Sequence, residues 1–151
     1  MEFTIDQDPD DSGRRALLDL IIAFNNAQTG TSGPSQKLSL LVRDPATGAV
    51  RGGLRGESYY GWLFVELLVL SEELRGQGLG TRLMGAAEAE AGRRGLIGVW
   101  LDTFSFQARP FYQRLGYHLV GRIDDFPPGG ARYWLAKRLD GRPPVADNPP
   151  R

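Results

Sequence analysis

Residues 75–85 read Arg75-Gly76-Gln77-Gly78-Leu79-Gly80-Thr81-Arg82-Leu83-Met84-Gly85, between the apolar run Trp62–Leu70 and a helical pattern that starts at Leu79. A strand that ends in alternate glycines and turns into a helix exposes several backbone N–H groups at the positive end of that helix. Such a turn is an anion site, and phosphate is the usual anion. Which phosphate ligand it holds has to be read from the flanking sequence.

The helix behind the turn runs from Leu79 to Arg94. Leu79, Leu83, Ala86 and Ala87 form its apolar stripe, Glu90 and Arg94 an i,i+4 pair, and Gly95 its stop. Ahead of the turn, residues 61–70 are almost continuously apolar with one carboxylate, Glu66, the pattern of a central strand covered on both faces. Further upstream, Lys37–Arg43 and Ala49–Arg55 read as a hairpin across Asp44–Gly48, with Gly52-Gly53 marking a bulge or a close backbone approach. The spacing of Leu17, Leu20, Ile21 and Phe24 predicts a helix with a buried face, capped by Ser12 and running to about Gln28. A short strand is expected near Glu2–Asp6, and Thr29–Ser35 is a loop by composition.

Downstream, Ile97–Thr103 is a strand and Gln107–Leu115 a short helix with Pro110 in its first turn and Gly116 at its end. Tyr117–Asp124 and Ala131–Leu139 are strands around the loop Phe126–Gly130. The order β-α-β-β-β-α-β-α-β-β describes a mixed α/β layered domain. Residues 1–139 are expected to form that single domain, and the proline-rich residues 140–151 a disordered tail.

Composition restricts the chemistry. Lys plus Arg and Asp plus Glu number 18 each, so no charge excess points to nucleic acid or an anionic membrane. No stretch approaches the roughly 18 consecutive apolar residues of a membrane span, and the acidic start is no signal peptide, so a cytoplasmic protein is expected. There is no cysteine, which removes disulfides, thiolate metal sites and a cysteine acyl-enzyme. The single histidine, His118, leaves no His-rich metal site, and any Ser-His-Asp triad would have to pass through it. Its place at the start of a strand favours a half-exposed structural residue. No metal is expected; backbone dipoles, carboxylates and tyrosines remain.

Three phosphate readings compete. A P-loop requires G-x-x-x-x-G-K-[ST], and no lysine occurs between Lys37 and Lys137. A dinucleotide fingerprint requires G-x-G-x-x-G, but the third position falls on Thr81 or Leu83; Asp102 imitates the ribose-binding acid only in part. The third reading uses Gly76, Gly78 and Gly80 with Arg75 in front. Arg75–Gly80 matches the [RQ]-x-x-G-x-[GA] pyrophosphate motif of the GCN5-related N-acetyltransferase (GNAT) family, and Phe111-Tyr112-Gln113-Arg114-Leu115-Gly116-Tyr117 matches a second segment of that family. The chain resembles this family in element order from about Asp6 to Leu139.

The resemblance implies a mixed, mostly antiparallel sheet of about six or seven strands flanked by helices. Acetyl-CoA would lie in a V-shaped opening between the strand ending at Leu70 and the strand Ile97–Thr103. The backbone of Gln77, Gly78, Leu79, Gly80 and Thr81, with Arg75 and Gly76 in the turn, would hold the pyrophosphate. Each charge-assisted hydrogen bond there contributes about 1.5–3 kcal/mol, so no lysine is needed. Leu68 and Leu70 would pair with the pantetheine arm, and the Leu70 N–H would polarise the thioester carbonyl. Tyr112 matches the general acid that protonates the departing thiolate, a thiol of pKa about 8.5 against a phenol near 10. Where many members carry an asparagine, this chain has Ser105, so Ser105 or Gln107 would take that pantetheine contact.

Direct transfer needs a neutral amine, and deprotonating one of pKa about 10.4 at pH 7 costs roughly 4.6 kcal/mol. Glu66 is the leading base and Asp102 the second, with a water chain as a further route. The resemblance places the acceptor pocket between residues 20–35 and the hairpin 124–133, where Trp62, Phe104, Phe106, Phe126 and Tyr133 are available. The expected activity is transfer of acetyl from acetyl-CoA to a small-molecule or peptide amine in a ternary complex, by a monomer or homodimer. The alternative is a non-catalytic acyl-CoA-binding regulatory domain on the same fold.

Overall fold

The computed structural model describes residues 1–30 and 35–146. The chain divides between residues 34 and 35 into two compact units. Among the described residues of the first, the only element is α1 (Arg14–Thr29); no strand forms near Glu2–Asp6. Gly13 rather than Ser12 occupies the N-cap. Asp8 organises the helix entrance instead: its carboxylate accepts from Ser12 Oγ (2.8 Å) and from Gly13 N (2.7 Å). The bond from Gly13 N, above all, holds the Asp8 carboxyl below its usual range. The apolar period of Leu17, Leu20, Ile21 and Phe24 does form a helix, but none of its residues is buried, so the expected buried face is corrected. Periodicity aligns side chains on one side; it does not specify what that side meets.

The described residues of the second unit form one six-stranded sheet with two α-helices. Its elements are β1 (Gln36–Arg43), β2 (Val50–Tyr59), β3 (Trp62–Leu70), a 3-10 turn at Glu72–Leu74, α2 (Leu79–Arg93), β4 (Gly98–Phe104), α3 (Arg109–Arg114), β5 (His118–Asp124) and β6 (Ala131–Arg138). The spatial order is β1-β2-β3-β4-β6-β5. Only β3 and β4 are parallel, because α2 carries the chain back between them; every other neighbour is antiparallel. The mixed, mostly antiparallel sheet was therefore legible; the strand count settles at six. Of the expected tail, residues 140–146 are turns and bends, while the rest, like residues 31–34 of the expected loop, lies outside the described residues.

Alternation builds the core. Leu63 and Val65 of β3, Val99, Leu101 and Thr103 of β4, and Tyr133 and Leu135 of β6 are buried, together with Leu83, Met84, Ala87 and Ala91 of α2 and Tyr112 of α3. The α2 stripe is thus Leu83, Met84, Ala87 and Ala91; Ala86 faces outward and Leu79 is half-buried. On the opposite sheet face lie Trp62, Phe64, Trp100, Asp102, Phe104, Arg132 and Trp134, each half-buried.

β3 departs from the expectation of a strand covered on both faces. Arg55 pairs with Leu67 and Gly56 with Val65, so Glu66 is an extra residue, a β-bulge. Beyond it Leu67 and Val69 are 55% and 60% exposed. Pairing with β4 is confined to Trp62–Gly98, Leu63–Val99 and Phe64–Trp100. Past those three pairs the parallel strands are no longer hydrogen-bonded, which opens the sheet at their C-terminal ends.

Candidate active site

The opening has donors on its β3 side. Ser71 N donates to Arg51 O at 2.9 Å, so the N–H of Ser71 points toward β2. Successive N–H groups along a strand point in opposite directions. Val69 therefore shares the direction of Ser71, while the N–H groups of Leu68 and Leu70 point away from β2, where β4 no longer pairs. Two donors in register thus face the gap, at the spacing that an extended amide chain can follow.

The glycine turn closes one end of that gap. Gly76 (φ 77°) and Gly78 (φ 76°) are both left-handed, a conformation that L side chains adopt at a cost, and nothing approaches their Cβ positions within 4 Å. Gly78 is the N-cap of α2 and no side chain caps the helix. The first helical bond runs from Arg82 N to Gly78 O (3.1 Å), so the N–H groups of Leu79, Gly80 and Thr81 have no intrahelical acceptor. Arg75 folds back through Nε to Leu70 O (3.3 Å), and Gln77 Nε2 donates to Glu73 O (3.0 Å). These two bonds tie the turn to the end of β3.

Gly80 has a different reason to be glycine. A Cβ there would sit 3.2 Å from Phe111 Cζ, so α3 rests on the first turn of α2. The two motifs thereby meet, and Tyr112, the next residue, is 8% exposed and part of the core. Burial pushes its phenol up to about 12 and keeps it protonated. The Tyr117 ring lies 6.1 Å away, edge to face, and its hydroxyl is buried with no partner. Burial, then Glu88, then Tyr112 hold the Tyr117 phenol higher still.

Ser105 and Gln107 hold the loop after β4. Ser105 exchanges bonds with Ala131 (Ser105 N to Ala131 O, 2.8 Å; Ala131 N to Ser105 Oγ, 3.1 Å). Gln107 Oε1 accepts from Phe104 N (2.9 Å) and Thr103 Oγ1 (3.1 Å). In both cases the acceptor oxygen is engaged within the loop, while the Ser105 hydroxyl proton and the Gln107 amide protons remain as donors.

Neither carboxylate named as a base stands alone. Glu66 is ion-paired with Arg55, which also lies 3.9 Å from Glu57. Asp102 accepts from Arg132 Nε (2.9 Å) and Nη2 (2.6 Å), both at Oδ1. Neither cation is marked by local sequence pattern. Arg55 is the cross-strand neighbour of Leu67, visible only once the bulge fixes the register, and Arg132 reaches Asp102 across the β4–β6 pair. Around Arg132 stand the rings of Phe126 (4.9 Å), Phe104 (5.2 Å) and Trp134 (5.3 Å). No cluster of three or more potential metal ligands occurs among the described residues. No described helix is long and apolar enough to cross a membrane.

Comparison with known proteins identifies the family. Residues 10–117 match the family model described as Acetyltransferase (GNAT) family. The chain is 35% identical over 139 residues to acetyltransferase Atu2258 of Agrobacterium fabrum, covering 92% of this chain and 100% of that protein. It is 46% identical over 93 residues to the blasticidin-S acetyltransferase of Streptomyces morookaense, covering 61% and 68% of the two chains. A crystal structure of an acetyltransferase from Bacillus cereus superposes with a TM-score of 0.82 at 30% identity, covering 91% of this chain and 98% of that one.

Proposed function

The chain belongs to the acetyltransferase (GNAT) family, and from that premise we propose that it moves an acetyl group from acetyl-CoA directly to an amine in a ternary complex. The observation that carries this reading is the gap between β3 and β4, faced by the N–H groups of Leu68 and Leu70 and adjoined by the uncapped start of α2. Pantetheine would lie along β3 as an added strand. The pyrophosphate would sit at the N–H groups of Gln77 through Thr81, where α2 presents its positive end. The Leu70 N–H would donate to the thioester oxygen as negative charge develops there.

Tyr112 would supply the proton to the departing thiolate. With its phenol at about 12, the gap to a reference thiol of about 8.5 corresponds to roughly 4.8 kcal/mol. That is wider than reference values alone imply. The same loss of water also raises the thiol, since burial penalises thiolate and phenolate alike. Tyr112 then acts as a neutral donor throughout the approach and passes its proton late, when the C–S bond has broken. Glu66 would relay the amine proton outward from its bulge position, where it is ion-paired with Arg55.

Blasticidin-S acetyltransferase points to a small-molecule acceptor, so an amine-bearing antibiotic belongs in the first assay, beside polyamines, amino acids and peptide N-termini. We place the activity in the cytoplasm. The test is release of free CoA thiol from acetyl-CoA with that panel. Turnover on at least one amine, lost in Tyr112→Phe, is the expected result. CoA binding without turnover on any of them, and indifference to Tyr112→Phe, would instead favour an acyl-CoA-binding regulatory domain.

A further inference from the structure

At the end of the sheet where β3 and β4 separate, three phenylalanine rings form one ledge. Phe104 closes β4, and Phe106 follows in the loop after it; their rings lie 5.4 Å apart and within 4° of parallel. Phe126, from the β5–β6 connection, stands edge-on to Phe104 at 5.6 Å and 88°. Strand alternation places Phe104 with Trp100 and Asp102 on the face opposite α2, whereas the core residues Leu101 and Thr103 face the helices. The ledge therefore stands on the far face of the sheet from the helix that would hold the pyrophosphate, at the same strand ends.

The ledge is held rigidly from behind. Arg132 lies against Phe104 and Phe126 and is fixed by its two bonds to Asp102. The paired Ser105–Ala131 bonds lace the Phe106 loop to the start of β6, and Gln107 anchors Phe104 N. Yet Phe106 is 70% exposed and Phe126 is 38% exposed. A single exposed aromatic is ordinary. Here Arg132, paired with Asp102, backs Phe126 and Phe104, and Phe106 lies parallel to Phe104 with its other face outward.

The geometry points to Phe106 and Phe126 as specificity residues that select an acceptor amine carried on a flat aromatic or heteroaromatic ring, stacked on the outward face of Phe106. Offset and edge-on aromatic pairs gain beyond the area they bury, and a saturated ring of the same size loses that gain. This inference rests on the acetyl-transfer reading, since it assigns the acceptor side of the same site.

The experiment compares benzylamine with cyclohexylmethylamine, which share the amine and ring size but differ in planarity. Binding of each to the full-length protein saturated with CoA is followed by NMR titration, and thiol release from acetyl-CoA is measured separately. The quantity read is the affinity ratio of the two amines in the wild type divided by that in Phe106→Ala, which cancels their difference in basicity. A quotient of at least threefold in favour of benzylamine, reproduced with Phe126→Leu, supports the ledge. A quotient near one, or no saturable binding of either amine, overturns it. Absence of thiol release with the quotient intact would remove the acetyl-transfer reading and leave the ring preference standing.

Discussion

Gly80 lies directly beneath the ring of Phe111, so that a Cβ on Gly80 would come within 3.2 Å of Phe111 Cζ. One contact thus joins the turn that would bind the donor to the helix that carries the proposed acid. The first turn of α2 fixes where α3 sits, and α3 fixes Tyr112.

Gly80→Ala should accordingly displace Phe111 by a few tenths of an ångström and move α3 with it. We expect kcat to fall more than the affinity for CoA, with partial recovery in Gly80→Ala/Phe111→Leu, where the shorter side chain makes room. A double-mutant cycle in kcat and in denaturant stability checks this; contacting residues couple by about 0.5–3 kcal/mol. Additive effects would mean that the two motifs are mechanically independent.

Gly78→Ala tests conformation rather than space, because the Cβ position is open while φ is 76°. A left-handed alanine costs about 1–2 kcal/mol, and relaxing it would rotate the N–H groups at the start of α2. The expected outcome is a loss of stability of that order in urea unfolding, together with weaker CoA binding by calorimetry.

Tyr112→Phe should leave CoA affinity nearly unchanged and reduce kcat by about 10²–10⁴, the range of a positioned general acid. Stability offers a second readout. The folded phenol is raised from 10.0 to about 12, so above pH 10 the unfolded chain loses a proton that the folded chain keeps. The contribution is whole below pH 10 and is lost as pH rises toward 12, by roughly 3 kcal/mol. Tyr117 adds a loss of the same sign. Melts between pH 9 and 11.5 should show a shallower decline in Tyr112→Phe than in the wild type.

Glu66→Gln should lower kcat/KM and alter its profile against pH while leaving the fold intact, since the side chain is 44% exposed. An unchanged profile would take Glu66 out of proton transfer and leave a water chain or Asp102 as the route.

Asp102→Asn should destabilise the protein, by about 1–3 kcal/mol, because it leaves the half-buried Arg132 cation without its counter-charge. Asp102→Asn/Arg132→Met, which removes both charges, should recover most of that loss in urea unfolding. Full recovery of stability without recovery of benzylamine preference would show that Arg132 braces the ledge.

Much of this architecture was present in local pattern. The alternate glycines, the Phe111–Tyr117 segment and the period of each strand specify β3-turn-α2 and α3, because turn conformation and side-chain alternation are properties of neighbouring residues. The Glu90–Arg94 pair (3.1 Å) and the positive φ of Gly95 (70°) follow from the same local rules. Pairing across strands lay beyond those rules. The bulge at Glu66, its Arg55 partner and the loss of β3–β4 pairing after Phe64 depend on the register between strands, which the pattern within one strand does not fix. So does the Asp102–Arg132 pair, 30 residues apart in the chain.

The sequence by itself therefore determined where the backbone turns and which faces are apolar, since those follow from φ preferences and the 2.0 and 3.6 residue periods. Only the tertiary structure decided which charges meet, where the sheet opens and which rings stay exposed. Those outcomes depend on strand register and packing, and a one-residue bulge is enough to redirect every side chain beyond it.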